Sequence, residues 1–425
     1  MSNGIAKRNG SEGTETIVLR LADLGESEIS FSNTRSVILT DGEIQKYALY
    51  VGDVLFIRVN GSKENVGKSF YFDNESLSIA YCDHLIRCTP TGVLHGKLLS
   101  MFMRCGYVRQ LIGERMVSAA GQNTISQPSL ATILLPVPPL KEQDRIILRL
   151  DNADSYISQI SNSKQELIEI TLRAKTKILD LAIRGQLVPQ DPNDEPASVL
   201  LERIRAEKEE LIKQGKIKRD KKESVIFRGD DNSYYLQTGD LVETLEDWAF
   251  EELPDNWAIC CLGELCDYGN CINVDTSSID GAAWMLDLED IEKDTGAVLQ
   301  KVRKTERSAA STKHYFHKGQ VLYSKLRPYL NKVVLADEDG YCTSEILPLE
   351  FERNVLPQYA RYYLMSPTFL KYANKCSYGV KMPRLGTADG RRAIVSVPPL
   401  EEQKRIVIAI EQVFSRLATI TESLS

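Results

Sequence analysis

A near-identical nonapeptide occurs twice in this chain of 425 residues, and it limits the possible folds more than any other feature. PPLKEQDRI occupies residues 138–146, and PPLEEQKRI occupies residues 398–406. A second pair of matches, GDVLF at 52–56 and GQVLY at 319–323, occurs in the same order. The separation is 260 residues for the first pair and 267 for the second. These markers predict two homologous units that differ by an insertion or deletion between the markers.

Each unit shows the same succession of local patterns. Short β-type runs, such as 54–59 and 333–335, are broken by Gly, Asn and Asp turns. The Pro-Pro pair then introduces a helix, because proline suits the first turn of a helix and acids stabilise its N-terminus. We therefore expect an α+β protein made of two globular mixed α/β units related by a pseudo-twofold repeat.

Apolar residues at helical spacing predict helices at about 142–184, 196–214 and 401–424. These stripes pack either on their own globular units or on each other. We favour a long antiparallel coiled-coil pair between the two units, because one small unit does not bury a narrow stripe of 43 residues. The residues assigned to this pair or to contact with other subunits are Glu142, Gln143, Arg145, Ile146, Leu150, Ile157, Glu402, Gln403, Arg405, Ile406, Ile410, Val413 and Leu417.

The repeat and the helices together divide the chain into five predicted segments. They are a first globular domain at 1–139, a central helical region at 140–222, a linker at 223–250, a second globular domain at 251–398 and a C-terminal helix at 399–425.

Composition excludes some classes of protein and some compartments. The formal net charge of −7 argues against a protein that coats nucleic acid by bulk charge, although a local basic groove remains compatible with it. The sequence contains no apolar run of about 18 residues, so no membrane span is predicted. The nine cysteines favour free thiols in a reducing cytoplasm. The cysteine spacings within 260–271 are wider than those of zinc knuckles, so we expect no metal site there.

No convincing catalytic motif is found in the sequence. Residues 61–69, GSKENVGKS, resemble a phosphate-binding loop, but the required first glycine is displaced by one position. Neither N-P-P-Y nor D-P-P-Y, the tetrapeptides of amino-methyltransferases, is present. These observations fit a binding protein better than an enzyme.

Two polar, turn-rich segments directly follow the shared G-x-V-L-[FY] strand. Arg and Asn side chains make bidentate contacts to base edges, and Lys, Ser and glycine amides bind phosphates. Each segment is either a DNA-contacting loop or a solvated surface hairpin. Because two such segments occur at equivalent positions of the repeat, we weigh the two interpretations equally. The candidate DNA-binding residues are Arg58, Asn60, Gly61, Ser62 and Lys68 in the first unit and Lys325, Arg327, Tyr329, Asn331 and Lys332 in the second.

Together, these features resemble the specificity subunit of Type I restriction-modification enzymes. The resemblance rests on the two GD-x-L-type strands, the two PPL-x-EQ-x-RI helix entries and the central segment 182–218, and it covers essentially the whole chain. VKMPRLGT at 380–387 and LPDNW at 253–257 are also similar to that family.

The resemblance implies a non-catalytic subunit of a phage-defence system. Each globular unit would be a target recognition domain that reads one half of a split, asymmetric sequence in double-stranded DNA. The helices would set the spacer and dock two modification subunits, and restriction/translocase subunits would join them. S-adenosylmethionine, ATP and Mg²⁺ would bind to these partners for DNA methylation and cleavage, and no cofactor would bind to this chain.

The sequence departs from a perfect repeat at the start of the first unit. The second unit has LPDNWAICCLGEL before its first shared strand, and the first unit lacks an equivalent. We expect the first domain to lack its opening strand. Two other functions remain open, namely a stand-alone fused methyltransferase/endonuclease and a coiled-coil scaffold with no role on DNA.

Overall fold

The structure, a computed structural model, describes residues 1–26, 28–75, 78–215, 224–229, 233–245, 253–307, 311–351 and 354–424. It divides into two compact units, Met1–Asn162 and Ser163–Ser425. The boundary falls within one long helix, which therefore contributes residues to both units. Within the described ranges, no helix is long and apolar enough to cross a membrane.

The first unit combines three small sheets with short helices. Its strands are β1 Ser2–Asn3, β2 Thr14–Leu19, β3 Ser36–Leu39, β4 Val54–Ile57, β5 Val59–Asn60, β6 Ser69–Tyr71, β7 Ile79–Tyr81, β8 Leu85–Cys88, β9 Val117–Ala119 and β10 Gln122–Thr124. Its helices are α1 Asp41–Tyr47, α2 Gly96–Arg104, α3 Gly106–Arg115 and α4 Gln127–Ala131. The sheet orders are β1-β8-β4-β6, β5-β10-β9 and β3-β2-β7. The long helix α5 follows at Leu140–Ile183.

The second unit is larger. Its strands are β11 Ser224–Arg228, β12 Tyr234–Thr238, β13 Leu241–Thr244, β14 Ala258–Cys261, β15 Ile272–Val274, β16 Trp284–Leu286, β17 Val302–Arg303, β18 Lys313–Phe316, β19 Val321–Ser324, β20 Val333–Leu335, β21 Gly340–Thr343, β22 Ile346–Leu349 and β23 Ile394–Val397. Its other helices are α6 Ala197–Lys213, α7 Leu262–Leu265, α8 Pro357–Leu364, α9 Pro367–Cys376, α10 Thr387–Arg392 and α11 Leu400–Glu422. The sheet orders are β11-β12-β13, β14-β23, β15-β18-β21-β16-β17 and β20-β19-β22.

The two units share strand connectivity around the GD-x-L-type strand. β4 lies between β6 and β8 with antiparallel pairing on both sides, and β19 lies between β20 and β22 in the same way. Each unit also contains one parallel pair, β2 with β7 and β16 with β21. The runs that match in the sequence therefore occupy matching places in the two units.

The glutamine of each PPL-x-EQ motif anchors its helix to the domain before it. Gln143 Oε1 accepts the backbone N–H of His95 at 2.9 Å, and Gln403 Oε1 accepts that of Leu356 at the same distance. Each Nε2 donates to the first proline of its own motif, Pro138 or Pro398. Both side chains are fully buried, so each amide satisfies backbone groups that would otherwise be costly to bury. The recurrent glutamine is therefore a structural clamp inside each unit.

The three predicted helices are present as α5, α6 and α11, with ends within three residues of the predicted ones. The predicted linker at 223–250, in contrast, contains the antiparallel sheet β11-β12-β13. Ile226 and Leu236 of this sheet are buried in one cluster with Ile259 and Ile394. The description of this segment as a linker is wrong for its described residues, because its alternating apolar residues cover the β14-β23 pair.

The last turns of α5 pack within the second unit. Leu179, Ala182 and Ile183 belong to the same apolar core as Ile406 and Ile410 of α11. Further back on α5, Lys175 Nζ lies 5.7 Å from the ring centroid of Phe414. Ser396 Oγ, four residues before α11, donates to Ile183 O at 2.8 Å, so the last residues of α5 lie beside the entry to α11.

Candidate nucleic-acid interface

The first candidate loop begins where β4 ends. The backbone N–H of Arg58 donates to His84 O at 2.8 Å, and its guanidinium donates to Asp83 O at 3.2 Å. Asn60 Oδ1 accepts the backbone N–H of Ser62 at 2.9 Å, which is a local asparagine turn. This turn leaves Gly61 exposed at the tip of the loop. Lys68 closes the loop and pairs with the exposed Glu26 at 3.1 Å.

Neighbouring elements hold this loop in place. Asn123 of β10 donates from Nδ2 to Gly61 O at 2.8 Å, and Arg109 of α3 donates to Glu64 O at 2.7 Å. The Arg109 Nη1 atom is buried without a hydrogen-bond partner, and burial lowers the pKa of this guanidinium. Hydrogen bonds from β10 and α3 thus fix the backbone of this loop.

The second candidate loop occupies the equivalent place after β19. The backbone N–H of Lys325 donates to Glu345 O at 3.0 Å, and its carbonyl accepts from Leu385. In the first unit, Arg58 makes the same pair of bonds, to His84 and from Ile125. Arg58 and Lys325 are therefore equivalent in backbone position and both cationic.

The second loop has an unusual backbone. Arg327 and Asn331 both have φ of +49°, in the left-handed region that costs a residue with a side chain about 1 kcal/mol or more. Such strain persists where the surroundings impose it, and here the Arg327 N–H donates to Pro383 O at 2.7 Å. The bend leaves Tyr329 50% exposed and buries Arg327 Nε without a hydrogen-bond partner.

Two residues of this predicted loop point inward. Asn331 is buried, and its Nδ2 donates to Met365 O at 3.1 Å. Lys332 Nζ donates to Leu288 O at 2.6 Å, and burial lowers the pKa of its ammonium group. The prediction that Asn331 faces a ligand is wrong, because its side chain fixes the loop to the helical part of the unit.

Sequence reasoning missed the segments beside both loops. In the second unit, Tyr378, Val380, Lys381 and Met382 are exposed on a turn next to Arg327. In the first unit, the β9-β10 hairpin lies beside Asn60 and exposes Val117. The run VKMPRLGT could have indicated an exposed binding turn, because large apolar residues flank a lysine in it. The exposed aromatic ring and the lysine of the turn at 378–382 are groups that can stack on a base and bind a phosphate, respectively.

The residues assigned to helix or subunit contact fall into three groups. Gln143, Glu402, Gln403, Ile406 and Ile410 are buried within their own units. Arg405 is partly exposed and pairs with Asp194, while Ile146, Val413 and Leu417 are partly buried. Glu142, Arg145, Leu150 and Ile157 are exposed. The outward group on α5 is thus the one available to another subunit.

One cluster of potential metal ligands lies beside the first candidate loop. Among the described residues, Cys82, Asp83 and His84 form the only group of three with donor atoms within 4.8 Å of one another, at the turn that holds Arg58. His84 Nδ1 already lies 3.1 Å from Asp83 Oδ1. Cys260 and Cys261 pack in apolar clusters, and burial raises the pKa of Cys261 to about 12.

The chain is similar to proteins of one known family. Residues 17–171 and 254–425 match the model of a family described as the Type I restriction modification DNA specificity domain. The chain is 33% identical over 219 residues to the Type I restriction enzyme StySPI specificity subunit of Salmonella potsdam, a match that covers 48% of this chain and 46% of that protein. The chain spans about half the length of the curated relatives it matches.

Solved structures show a similar fold. The crystal structure of the HsdS subunit from Thermoanaerobacter tengcongensis matches 97% of this chain and 86% of that chain, with a TM-score of 0.53 and 14% identity. A chain from a study of complex assembly and conformational transition in the type I R-M system matches 97% of this chain and 87% of that chain. Its TM-score is 0.58 and its identity is 14%.

Proposed function

The chain belongs to the Type I restriction modification DNA specificity family, and from this we propose that it selects the DNA target of a Type I restriction-modification complex. Each unit reads one half of a split, asymmetric sequence. The family model matches each unit separately, at 17–171 and 254–425, which supports a two-part target. Two similar but non-identical readers suit a non-palindromic site, as protein symmetry follows operator symmetry elsewhere.

The observation that carries this proposal is the equivalent placement of Arg58 and Lys325. Each cation follows the central strand of its sheet and is fixed by two backbone hydrogen bonds from matching neighbours. A cation held at a fixed backbone position can be aimed at a phosphate or a base edge, because little conformational freedom is lost on binding. The sequence around each cation differs, so each unit can read different bases.

Within the second loop, Lys325, Arg327 and Tyr329 are the proposed DNA-contacting residues, and Asn331 and Lys332 support them. A guanidinium can contact guanine in a bidentate manner, and an exposed tyrosine ring offers a face to a base or sugar. In the first loop, Arg58, Asn60, Gly61, Ser62 and Lys68 retain their proposed roles. Phosphate contact by Lys68 requires that it leave the exposed Glu26, which is a small cost for a surface pair.

We further propose that α5 and α11 form the antiparallel pair that sets the spacer between the half-sites. α5 has 44 residues and, at about 1.5 Å per residue, extends about 66 Å. Its exposed apolar residues, including Leu148, Leu150, Ile157 and Ile160, are proposed to dock modification subunits. Those partners, together with restriction/translocase subunits, would bind S-adenosylmethionine, ATP and Mg²⁺. They would also supply much of the phosphate contact, since a chain of net charge −7 does not hold DNA by bulk charge.

Sequencing of methylated bases in host DNA, with and without this gene, tests the proposal. We expect a split motif with methylated adenines that disappears on deletion and returns on complementation. A matched strain that lacks the modification subunit controls for loss of the whole complex. A methylation pattern that is unchanged by deletion, in a strain with active modification subunits, would contradict the proposal.

A further inference from the structure

The segment just before each Pro-Pro pair has a different environment in the two units. Ile133 and Ala393 are equivalent, because each donates its backbone N–H to the residue three positions earlier, Leu130 or Gly390. Residues 133–137 therefore correspond to 393–397, and each segment leads into its PPL-x-EQ motif.

In the second unit this segment is the strand β23. It pairs antiparallel with β14, with Ala258 opposite Val397 and Cys261 opposite Ile394. The backbone N–H of Leu262 donates to Ala393 O at 2.7 Å, which extends the ladder by one residue. Every residue of β23 is buried.

In the first unit the same segment is open on one side. Ile133 is buried in the core and Leu135 packs against it, so the segment is seated on its domain. Leu134 is 85% exposed and Val137 is 54% exposed. Among the residues that the structure describes, none forms a strand with 133–137. The segment therefore leaves unpaired backbone groups and apolar side chains at the surface, as an open strand edge does.

The single proline in this segment is compatible with strand pairing. Hydrogen-bonded and non-hydrogen-bonded pairs alternate in an antiparallel ladder. Because Ala393 bonds to Leu262, the positions that bond to the opening strand are 393, 395 and 397. Pro136 corresponds to Ser396, which lies between them. The proline thus falls where no N–H is needed for an added strand, and the carbonyl of Ile133 and the N–H groups of Leu135 and Val137 remain suitable.

The glutamate of the repeated motif adds a second, polar half to this surface. Glu402 is buried and accepts the indole N–H of Trp257 at 3.0 Å, just before β14 begins. Glu142 occupies the same place in its motif but is exposed. At this place the second unit binds an extended segment and its tryptophan. The first unit instead presents an open strand edge and an exposed carboxylate.

We propose that residues 133–142 of the first unit are a docking site for a β-strand of another polypeptide. The strand has the chemistry of residues 257–261, with a tryptophan that donates to Glu142 followed by four apolar residues in an extended conformation. Addition of a strand to an exposed edge is a common mode of peptide recognition. This inference concerns the assembly of the first unit and does not depend on the proposed reading of DNA.

Fluorescence anisotropy of a labelled peptide tests this site on the full chain, without DNA. The peptide has the sequence of residues 253–265 with serine at the positions of Cys260 and Cys261, and a second peptide also carries Trp257→Ala. We expect saturable binding of the first peptide and at least about tenfold weaker binding of the second. Absence of saturable binding of the first peptide would overturn the proposal.

Substitutions in the chain locate the bound peptide. Val137→Pro removes one bonding N–H and should weaken binding at least about tenfold, whereas Val137→Ala keeps the N–H and should change binding by less than about threefold. Glu142→Gln changes an exposed residue that folding does not require. It should weaken binding of the tryptophan peptide but not of the Trp257→Ala peptide. Equal binding to the Val137→Pro and Val137→Ala chains, or no selective effect of Glu142→Gln, would overturn the assignment.

Discussion

The two units of this protein use the same motif to different extents. In both, the glutamine of PPL-x-EQ is buried and clamps the helix entry to its own domain. In the second unit, the neighbouring glutamate and arginine are also engaged, Glu402 with Trp257 and Gln190 and Arg405 with Asp194. In the first unit, Glu142 and Arg145 are exposed. The glutamine thus bonds within its own domain, whereas the glutamate and arginine of the second unit depend on Trp257 of the opening segment and on Gln190 and Asp194 after α5.

This difference shows that a repeated sequence does not guarantee a repeated environment. The glutamine contacts backbone groups within about fifty residues of chain before it, and both units supply them. The glutamate needs a tryptophan that precedes its unit's first shared strand, and among the described residues only the second unit supplies it.

The largest effect is expected from Trp257→Ala. The indole is buried in the core of the second unit and donates to Glu402, so its loss should destabilise that unit by about 3–5 kcal/mol. Hydrogen exchange measured by mass spectrometry resolves the two units separately. Exchange should accelerate in the second unit and stay unchanged in the first. Trp257→Phe, which loses the N–H but keeps a ring, should have a smaller effect.

Loss of the clamping glutamine should destabilise the two units equally, whereas loss of Trp257 should destabilise only the second unit. Gln143→Ala and Gln403→Ala each remove the hydrogen bonds of a fully buried amide to a backbone N–H and to backbone carbonyls, and each should cost about 2–4 kcal/mol in its own unit. The same exchange measurement reports both. A large cost in one unit and none in the other would show that the clamp is not shared.

A smaller effect is expected at the second recognition loop. Arg327→Ala should weaken binding of target DNA by the assembled complex by about 1–3 kcal/mol and relax one base position. Alanine at φ of +49° meets a backbone strain similar to that of arginine, so the substitution isolates the guanidinium. Lys371→Ala, an exposed lysine on α9, is a matched loss of one positive charge. If both variants weaken DNA binding equally, Arg327 contributes only its positive charge and does not read a base.

The smallest effect concerns pH. Burial raises the pKa of Glu402 above its ordinary 4.5, against the hydrogen bonds from Gln190 and Trp257. A carboxyl with a raised pKa in the folded state stabilises the fold when protonated, and that stability is lost as pH rises from about 4.5 through the raised pKa. Glu402→Gln should flatten this part of the stability profile of the second unit. Glu142→Gln, at the exposed equivalent, should leave the profile of the first unit unchanged.

Much of the architecture was predictable from local patterns. The repeat indicated two units, and apolar spacing gave the ends of α5, α6 and α11 closely. The sheet β11-β12-β13 was missed, because it lies in a segment that resembles a polar linker and one of the two strands it covers, β23, is distant in sequence. Asn331 was misassigned because the sequence around a polar residue after a proline turn does not show whether its side chain points outward. In the structure this side chain bonds to Met365.

The candidate site was less predictable than the fold. The pattern after the G-x-V-L-[FY] strand located both loops, since that strand is central in each small sheet. The adjacent turn at 378–382 and the β9-β10 hairpin are brought to those loops by pairing across many residues, which no local pattern reveals. The fixed equivalence of Arg58 and Lys325 likewise depends on hydrogen bonds to distant parts of each unit.

Each unit is proposed to read its own half of the target DNA. Methylome sequencing of cells that carry Arg58→Ala or Arg327→Ala in otherwise intact complexes tests this division. We expect Arg58→Ala to relax bases in one half of the split motif and Arg327→Ala to relax bases in the other half, with the spacer unchanged. Relaxation of the same half by both variants, or an unaltered motif in both strains, would contradict it.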